Sequence, residues 1–325
     1  MKISKNISRV DRVHKNRFPF SFFQRVRYKI LNYWLAHEKK LFWDKQLILN
    51  EPEVHKIMSS AILEPKPFAV ARLGGVEASL VMWAKQIPKF SFGKHIPRLF
   101  SDTAQGATNA GIRPRNKESY KAFADLAWDS LKCLDLQGVW LSGFESAYLP
   151  SLPNRALYNV ETIGPNGVNP SHWVRALVGK RVLIISPFAN TIHSQIPKLG
   201  YVWPDLPWLA STDFDVIQFP YLIDDDCPDA WWEVYERLGQ VISAGNYDVA
   251  LLGCGGLGLP FAALAKKSGR IGIHLGGHLQ LLFGIYGQRH LDHEWHRKNI
   301  NPAWVRPEAS EVAKTASRVE GGCYW

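Results

Sequence analysis

The 325-residue chain has no apolar run of the roughly 20 residues that a bilayer-spanning helix needs. The nearest stretch, residues 250–265, is interrupted by glycines and Pro260, so a membrane-spanning protein is not expected. Cysteine is scarce. Cys133, Cys227, Cys254 and Cys323 are scattered, and none belongs to a C-x-x-C pair. This argues against a zinc site or a disulfide framework and fits a reducing cytoplasm. No uninterrupted apolar segment follows the N-terminal charges, so no secretory signal is read there. Neither Ser142 nor Ser186 sits in a G-x-S-x-G elbow, which disfavours a serine hydrolase. Internal repeats and low-complexity tracts are absent.

Positive charge is present but gathered at one end. Residues 1–30 hold nine Lys or Arg against one acid, Asp11, so of the formal charge of +10 only +2 belongs to the rest. A nearly neutral body does not suit a nucleic-acid-binding face. The basic segment also carries Phe18, Phe20, Phe22, Phe23 and Tyr28. Two readings are open: a poorly ordered extension over 1–32, or peripheral association with an anionic membrane. The thirteen tryptophans suit core anchors, sugar-stacking surfaces, or both.

The hydrophobic content, 46%, is enough for one large α/β domain, read here over 33–325. Residues 30–62 look helical. Phe68 to Leu73 reads as a buried strand and Val76 to Lys85 as a helix. Residues 87–115 and 149–170 read as long loops. Apolar residues from Tyr120 to Leu134 recur at helical spacing, and Gly138 to Leu141 reads as a strand. From Arg181 onward the pattern is regular. Strands are expected at 181–186, 214–219, 248–252 and 271–274. Helices are expected at 191–199, 229–244, 259–267 and 278–285, with Pro228 at the start of the second. Unalternating apolar strands joined by helices predict a doubly wound, mostly parallel sheet with helices on both faces. The segment 287–325 is expected to pack on the body.

Ligands of such sheets bind beyond the carboxyl ends of the strands. Four loops fall there: Arg72–Glu77, Ser186–Asn190 with Pro187 and Phe188, Gly253–Gly258, and Leu275–Gln280 with Gly276 and Gly277. The third contains Gly253, Cys254, Gly255, Gly256 and Gly258, with the spacing of G-x-G-x-x-G. It is read either as a phosphate cradle or as a tight strand-to-helix turn. A dinucleotide fingerprint would want an acid at the end of the next strand. His274 stands there, so NAD is disfavoured. His274 and His278 are read as ligand donors or bases, or as capping and core histidines. Gln280 is a candidate ligand contact, and Arg289 either another polar group at the site or a structural ion-pair residue. Arg72 and Glu77 suit a diphosphate and a hydroxyl or base role, or else an ion pair holding the turn. Asp213/Asp215 and Asp224–Asp226 have a spacing that can bind Mg²⁺ or Mn²⁺, though helix capping also explains the latter.

Residues 72–77, RLGGVE, are similar to the R-[FY]-G-D-G-E motif of GT-D fold glycosyltransferases. Residues 247–256, Gly258-Leu259-Pro260, residues 273–277, residues 280–285 and the ending from Glu320 to Trp325 resemble the bacterial GT-D fold-like proteins. The resemblance spans about Phe68 to Trp325. It implies a Rossmann-like domain, a nucleotide-sugar donor and a glycan acceptor, often for surface polysaccharide. It further implies Glu77 and His274 as catalytic groups. The implied donor site is Arg72, Gly74, Gly75, Ser186, Pro187, Phe188, Gly253, Cys254, Gly255, Gly256, Gly276, Gly277 and Gln280. In the family the motif's Asp and Glu serve a metal–diphosphate site. Here Glu77 matches the Glu, but Gly75 takes the place of the Asp, so an implied Mn²⁺ or Mg²⁺ would lack one acid. A non-catalytic nucleotide- or glycan-binding protein is the alternative expectation.

Overall fold

The computed structural model describes residues 41–43, 46–87, 110–140, 143–165, 172–223, 227–292, 294–318 and 321–325. The basic extension, Ser142, Asp224–Asp226 and most of the 87–115 loop lie outside the described residues.

Nine strands form one sheet: β1 (Leu41–Trp43), β2 (Gln46–Leu49), β3 (Phe68–Arg72), β4 (Leu136–Val139), β5 (Ala156–Asn159), β6 (Arg181–Ser186), β7 (Asp213–Gln218), β8 (Val249–Leu252) and β9 (Ile271–His274). Their order is β1-β2-β5-β4-β3-β9-β8-β6-β7. Only β1 is antiparallel to its neighbour; the other eight strands run parallel. The helices are α1 (Glu51–Leu63), α2 (Gly75–Ala84), α3 (Lys117–Leu131), α4 (Gly143–Tyr148), α5 (Ala189–Gln195), α6 (Leu199–Val202), α7 (Trp231–Ala244), α8 (Gly258–Lys267), α9 (His278–Leu282), α10 (Gln288–Leu291) and α11 (Glu294–Asn299).

Successive strand residues point to opposite faces, and here both faces are buried. Ala69, Ala71, Leu183, Ile185, Ala250 and Leu252 face α2, α3, α7 and α8. Val70, Val182, Ile184, Val249, Leu251 and Ile273 face α1, α5, α6, α9 and the turn Trp173–Leu177. The sheet is therefore doubly wound and Rossmann-like. Its centre is tight: a Cβ on Gly272 would lie 2.5 Å from the Ala262 carbonyl oxygen, so α8 rests directly on β9.

Sequence and structure part at short elements. Residues 41–49 pair as a hairpin rather than continuing a helix. The helix begins after Asn50, whose Oδ1 accepts from the Glu53 N–H at 3.0 Å while Glu53 accepts from Asn50 at 3.2 Å. The supposed loop at 149–170 contains β5, which pairs with β2 and β4. The strand expected at 138–141 runs from Leu136 to Val139. Pro228 lies outside α7, which starts at Trp231; Glu233 accepts from the Ala230 N–H at 2.7 Å and caps it. The last predicted helix stops at Leu282, where Gly284 takes φ +67° and turns the chain.

No helix among the described residues is long and apolar enough to cross a membrane. The chain's last residues are fastened to α10: Arg289 N–H donates to the Cys323 carbonyl and Gln288 N–H to that of Trp325, both at 3.1 Å.

Candidate functional site

The four loops singled out from sequence follow β3, β9, β8 and β6, which are consecutive in the sheet. The chain leaves β3 and β8 towards one face, through α2 and α8. It leaves β9 and β6 towards the other, through α9 and α5. Ligands of such sheets bind beyond the ends of neighbouring strands with opposed exits, and β3 with β9 is one such pair.

Two of the four loops are filled by the protein itself. In the β6 loop, Ser186 is buried, and its hydroxyl accepts from the Phe188 N–H at 3.1 Å. Phe188 belongs to the core, and the Pro187 carbonyl accepts from Gln218 at 3.0 Å. The amides of Asn190 and Thr191, which would face an anion, donate to the buried carboxylate of Glu311 at 2.6 and 3.1 Å. An internal acid thus occupies that position. In the β8 loop the glycines make room for neighbours. A Cβ on Gly256 would lie 2.8 Å from the Ala110 carbonyl oxygen, and one on Gly253 2.9 Å from Leu279. A Cβ on Gly258 would strike the His274 ring, while Gly255 takes φ +52° beside Ala110. Cys254 is buried, its thiol donates to the Ile185 carbonyl at 3.3 Å, and burial pushes its pKa well up. A thiolate nucleophile does not suit that setting.

The β3–β9 end is different. Arg72 closes β3. Its Nη1 donates to the Val160 carbonyl at 3.4 Å, its Nη2 to that of Leu275 at 3.2 Å, and its guanidinium lies 5.1 Å from the Trp140 ring centre. Gly276 takes φ +57°, and a Cβ there would lie 2.7 Å from Arg72 Nη2. The next residue does the same for a second arginine: a Cβ on Gly277 would collide with the Arg289 guanidinium and lie 3.2 Å from Tyr324. Arg289 stacks on Tyr324 at 4.0 Å, and its Nε lies 3.1 Å from His290 Nε2. Adjacent glycines therefore seat one guanidinium each.

Glu161 and His278 lie in the same electrostatic neighbourhood, for both arginines act on both residues. His278 Nε2 and Glu161 Oε2 are 3.1 Å apart; the imidazole is 8% exposed and the carboxylate 59%. Desolvation acts to raise the Glu161 carboxyl, but at that exposure the cations win. His278, Arg72 and Arg289 hold it well below the usual carboxylate range. Burial lowers His278 against the pull of Glu161, and the arginines lower it further. A neutral His278 donates its Nε2–H to the carboxylate, and its buried Nδ1 has no hydrogen-bond partner among the described residues.

The remaining candidates flank this cluster. His274 is buried and pushed down to about 3, by desolvation first and then by Arg72, so it is neutral at pH 7. Glu77 stands in the first turn of α2, and its carboxylate folds back over Gly74, where a Cβ would collide with it. Gly75 opens α2. Gln280 is buried and turned to the chain end: its Nε2 donates to the Ile285 and Tyr324 carbonyls at 3.4 and 3.3 Å. Asp213 and Asp215 lie on the edge strand β7, away from the crevice. Among the described residues, no group of three His, Cys, Asp or Glu is placed to hold a metal ion.

Glu161 and Tyr324 were missed in the sequence. Glu161 hides in a proline- and asparagine-rich stretch that reads as loop. Tyr324 showed only as part of a terminal segment too specific for a free tail. Comparison with known proteins finds no family model, curated protein or solved structure that matches this chain.

Proposed function

We propose that the chain is a glycosyltransferase. It binds a nucleotide-linked sugar in the β3–β9 crevice and passes the sugar to a glycan acceptor, as in surface-polysaccharide synthesis. One observation supports this above the rest: Arg72 and Arg289 are seated over the adjacent glycines Gly276 and Gly277, at the sheet end where ligands of this fold class bind. A departing nucleoside diphosphate develops negative charge, and fixed guanidinium groups stabilise it there. The acceptor hydroxyl attacks the anomeric carbon as the bond to the diphosphate breaks. Its proton passes to a carboxylate, and Glu77, in the first turn of α2, is the group proposed for that role. His274, neutral and buried behind Arg72, is proposed to orient the site.

Gly75, where the resembled motif has an acid, favours a second reading in which the crevice binds its ligand without turnover. A thermal-shift panel of UDP-, GDP-, CMP- and dTDP-linked sugars, with and without Mn²⁺, tests the donor site. Stabilisation by none of them removes the donor site. If one binds, turnover by the full chain separates them, and Glu77→Gln with unchanged turnover removes Glu77 from the chemistry. The basic residues 1–30 are proposed to meet anionic lipid at the inner membrane face. Equal retention of the full chain by neutral and by anionic liposomes would refute that.

A further inference from the structure

We infer that the crevice grips a diphosphate with guanidinium groups alone, without a divalent cation, and that Tyr324 positions one of the two. The inference rests on the donor-site reading for its location, but not on the nucleotide or on turnover.

A cation clamping a diphosphate needs several oxygen ligands from the protein, usually carboxylates. Among the described residues, this sheet end does not provide them. The first residue of α2 is Gly75, and Glu77 is the only acid of that helix's first turn. The other acids near it are engaged: Glu161 by His278 at 3.1 Å, and the buried Glu145 by the Trp140 N–H at 2.5 Å. The donor set of the described residues does not fit a metal.

Positive charge is supplied instead, and it is anchored. Arg72 is tied to carbonyls from two separate segments, Val160 and Leu275, and is stacked near Trp140. Among the described residues, no carboxylate lies within ion-pair distance of Arg72. Arg289 is held from the other side by the Tyr324 ring at 4.0 Å and by His290 at 3.1 Å. Both guanidiniums act on Glu161 and on His278, so the groups seated on Gly276 and Gly277 share one neighbourhood. Two guanidiniums in one neighbourhood repel each other, and a bound anion lowers that repulsion. A diphosphate matches the planar fork of each arginine bidentately.

The seat also explains two sequence features. Side chains at positions 276 and 277 would each collide with a guanidinium. The chain end is fixed by bonds from Gln288 and Arg289 to the Trp325 and Cys323 carbonyls, by Gln280 to the Tyr324 carbonyl, and by the Trp325 indole to the Glu311 carbonyl at 3.0 Å. These contacts hold the Tyr324 ring under Arg289. Tyr324 is a positioning residue, and its ring rather than its hydroxyl is what Arg289 needs.

The test is calorimetric titration of the full chain with inorganic pyrophosphate in EDTA, repeated with Mn²⁺. Binding in EDTA is expected, with orthophosphate weaker by about tenfold for want of the second phosphate. Arg289→Ala should weaken pyrophosphate roughly tenfold to a hundredfold, the usual worth of a charge-assisted contact. Arg72→Lys keeps the charge but loses the fork and should weaken it as well. Tyr324→Ala should lose affinity and Tyr324→Phe keep it. Pyrophosphate bound only with Mn²⁺, or unchanged affinity in a folded Arg289→Ala protein, overturns the inference. Pyrophosphate bound in EDTA while no nucleotide sugar binds upholds the clamp and removes the proposed function. Nucleotide sugars bound only with Mn²⁺ do the reverse, and failure of every ligand removes both.

Discussion

Glu161 and His278 are 117 residues apart in sequence and meet at 3.1 Å, with the carboxylate open to solvent and the imidazole enclosed. The contact ties the end of β5 to the start of α9 across the crevice. It also sets which nitrogen of His278 carries the proton, since an ionised carboxylate can only accept.

Removing that acceptor should be visible on His278 itself. Glu161 raises the His278 pKa, while burial, Arg72 and Arg289 lower it. Glu161→Gln removes the raising influence and leaves the rest. In an NMR titration, the His278 midpoint should therefore move to lower pH in the variant. A midpoint that stays put, or rises, would mean that the pair does not persist in solution. The stability effect should be small, because the carboxylate is mostly exposed and solvent screens it.

Gly272→Ala should be costly although alanine favours strand dihedrals no less than glycine does. The added Cβ would lie 2.5 Å from the Ala262 oxygen and 2.6 Å from its Cα, and backbone cannot swing aside. Overpacking of this kind costs about 1–3 kcal/mol. Gly179→Ala is the control: it has φ +70° with nothing within 4 Å, so only the left-handed backbone is penalised, at about 1 kcal/mol. Urea denaturation should rank Gly272→Ala as the more damaging; the opposite rank would mean α8 can move off β9.

Glu311→Ala should destabilise the segment that closes over β6. Its buried carboxylate accepts from the Asn190 and Thr191 amides and from the Thr191 hydroxyl. Truncation strands those buried donors, at about 1–3 kcal/mol for each that water does not reach. Hydrogen exchange should then quicken at Asn190 and Thr191 before it quickens in β8. Uniform exchange across both would show that Glu311 supports the whole domain rather than this loop.

The central strands were readable because each is a mostly apolar stretch of four to six residues, covered on both faces and joined by a helix. The edge was not. β1, β2 and β5 are three or four residues long, and Leu41, Phe42, Leu47 and Ile48 satisfy helical spacing as readily as strand pairing. At the site, spacing pointed to Arg72 and to the double glycine. It could not tell a glycine that admits a ligand from one that admits a neighbour. Gly253, Gly256 and Gly258 turned out to admit Leu279, Phe123 and His274, and Gly276 and Gly277 to admit arginines. That distinction depends on residues far away in the chain, as do the contacts of Glu161 and Tyr324.

Acid should unfold the protein well before its carboxylates titrate. His55 is pushed down to about 4, by burial above all. Burial and the neighbouring His55 push His172 down to about 3, and the two rings lie 4.4 Å apart. His274 is likewise at about 3, and His290 is lowered by burial and by Arg289. Each folded pKa lies below the unfolded value near 6.5. Between those limits the unfolded chain binds more protons than the folded one, so stability rises with pH there. The histidines' contribution is complete above about pH 6.5 and drains away as pH falls towards 4, at up to about 1.4 kcal/mol per pH unit for each. Melting temperature should hold steady from pH 8 to 7 and drop steeply between 6.5 and 5. His172 Nδ1 accepts from the Val174 N–H at 3.3 Å and its Nε2 lies 3.2 Å from the Gly164 carbonyl, so His172→Gln should retain part of these bonds while removing one titrating group. The variant's melting curve should fall less steeply with acid than the parent's; an unchanged slope would mean that His172 is already charged in the folded state.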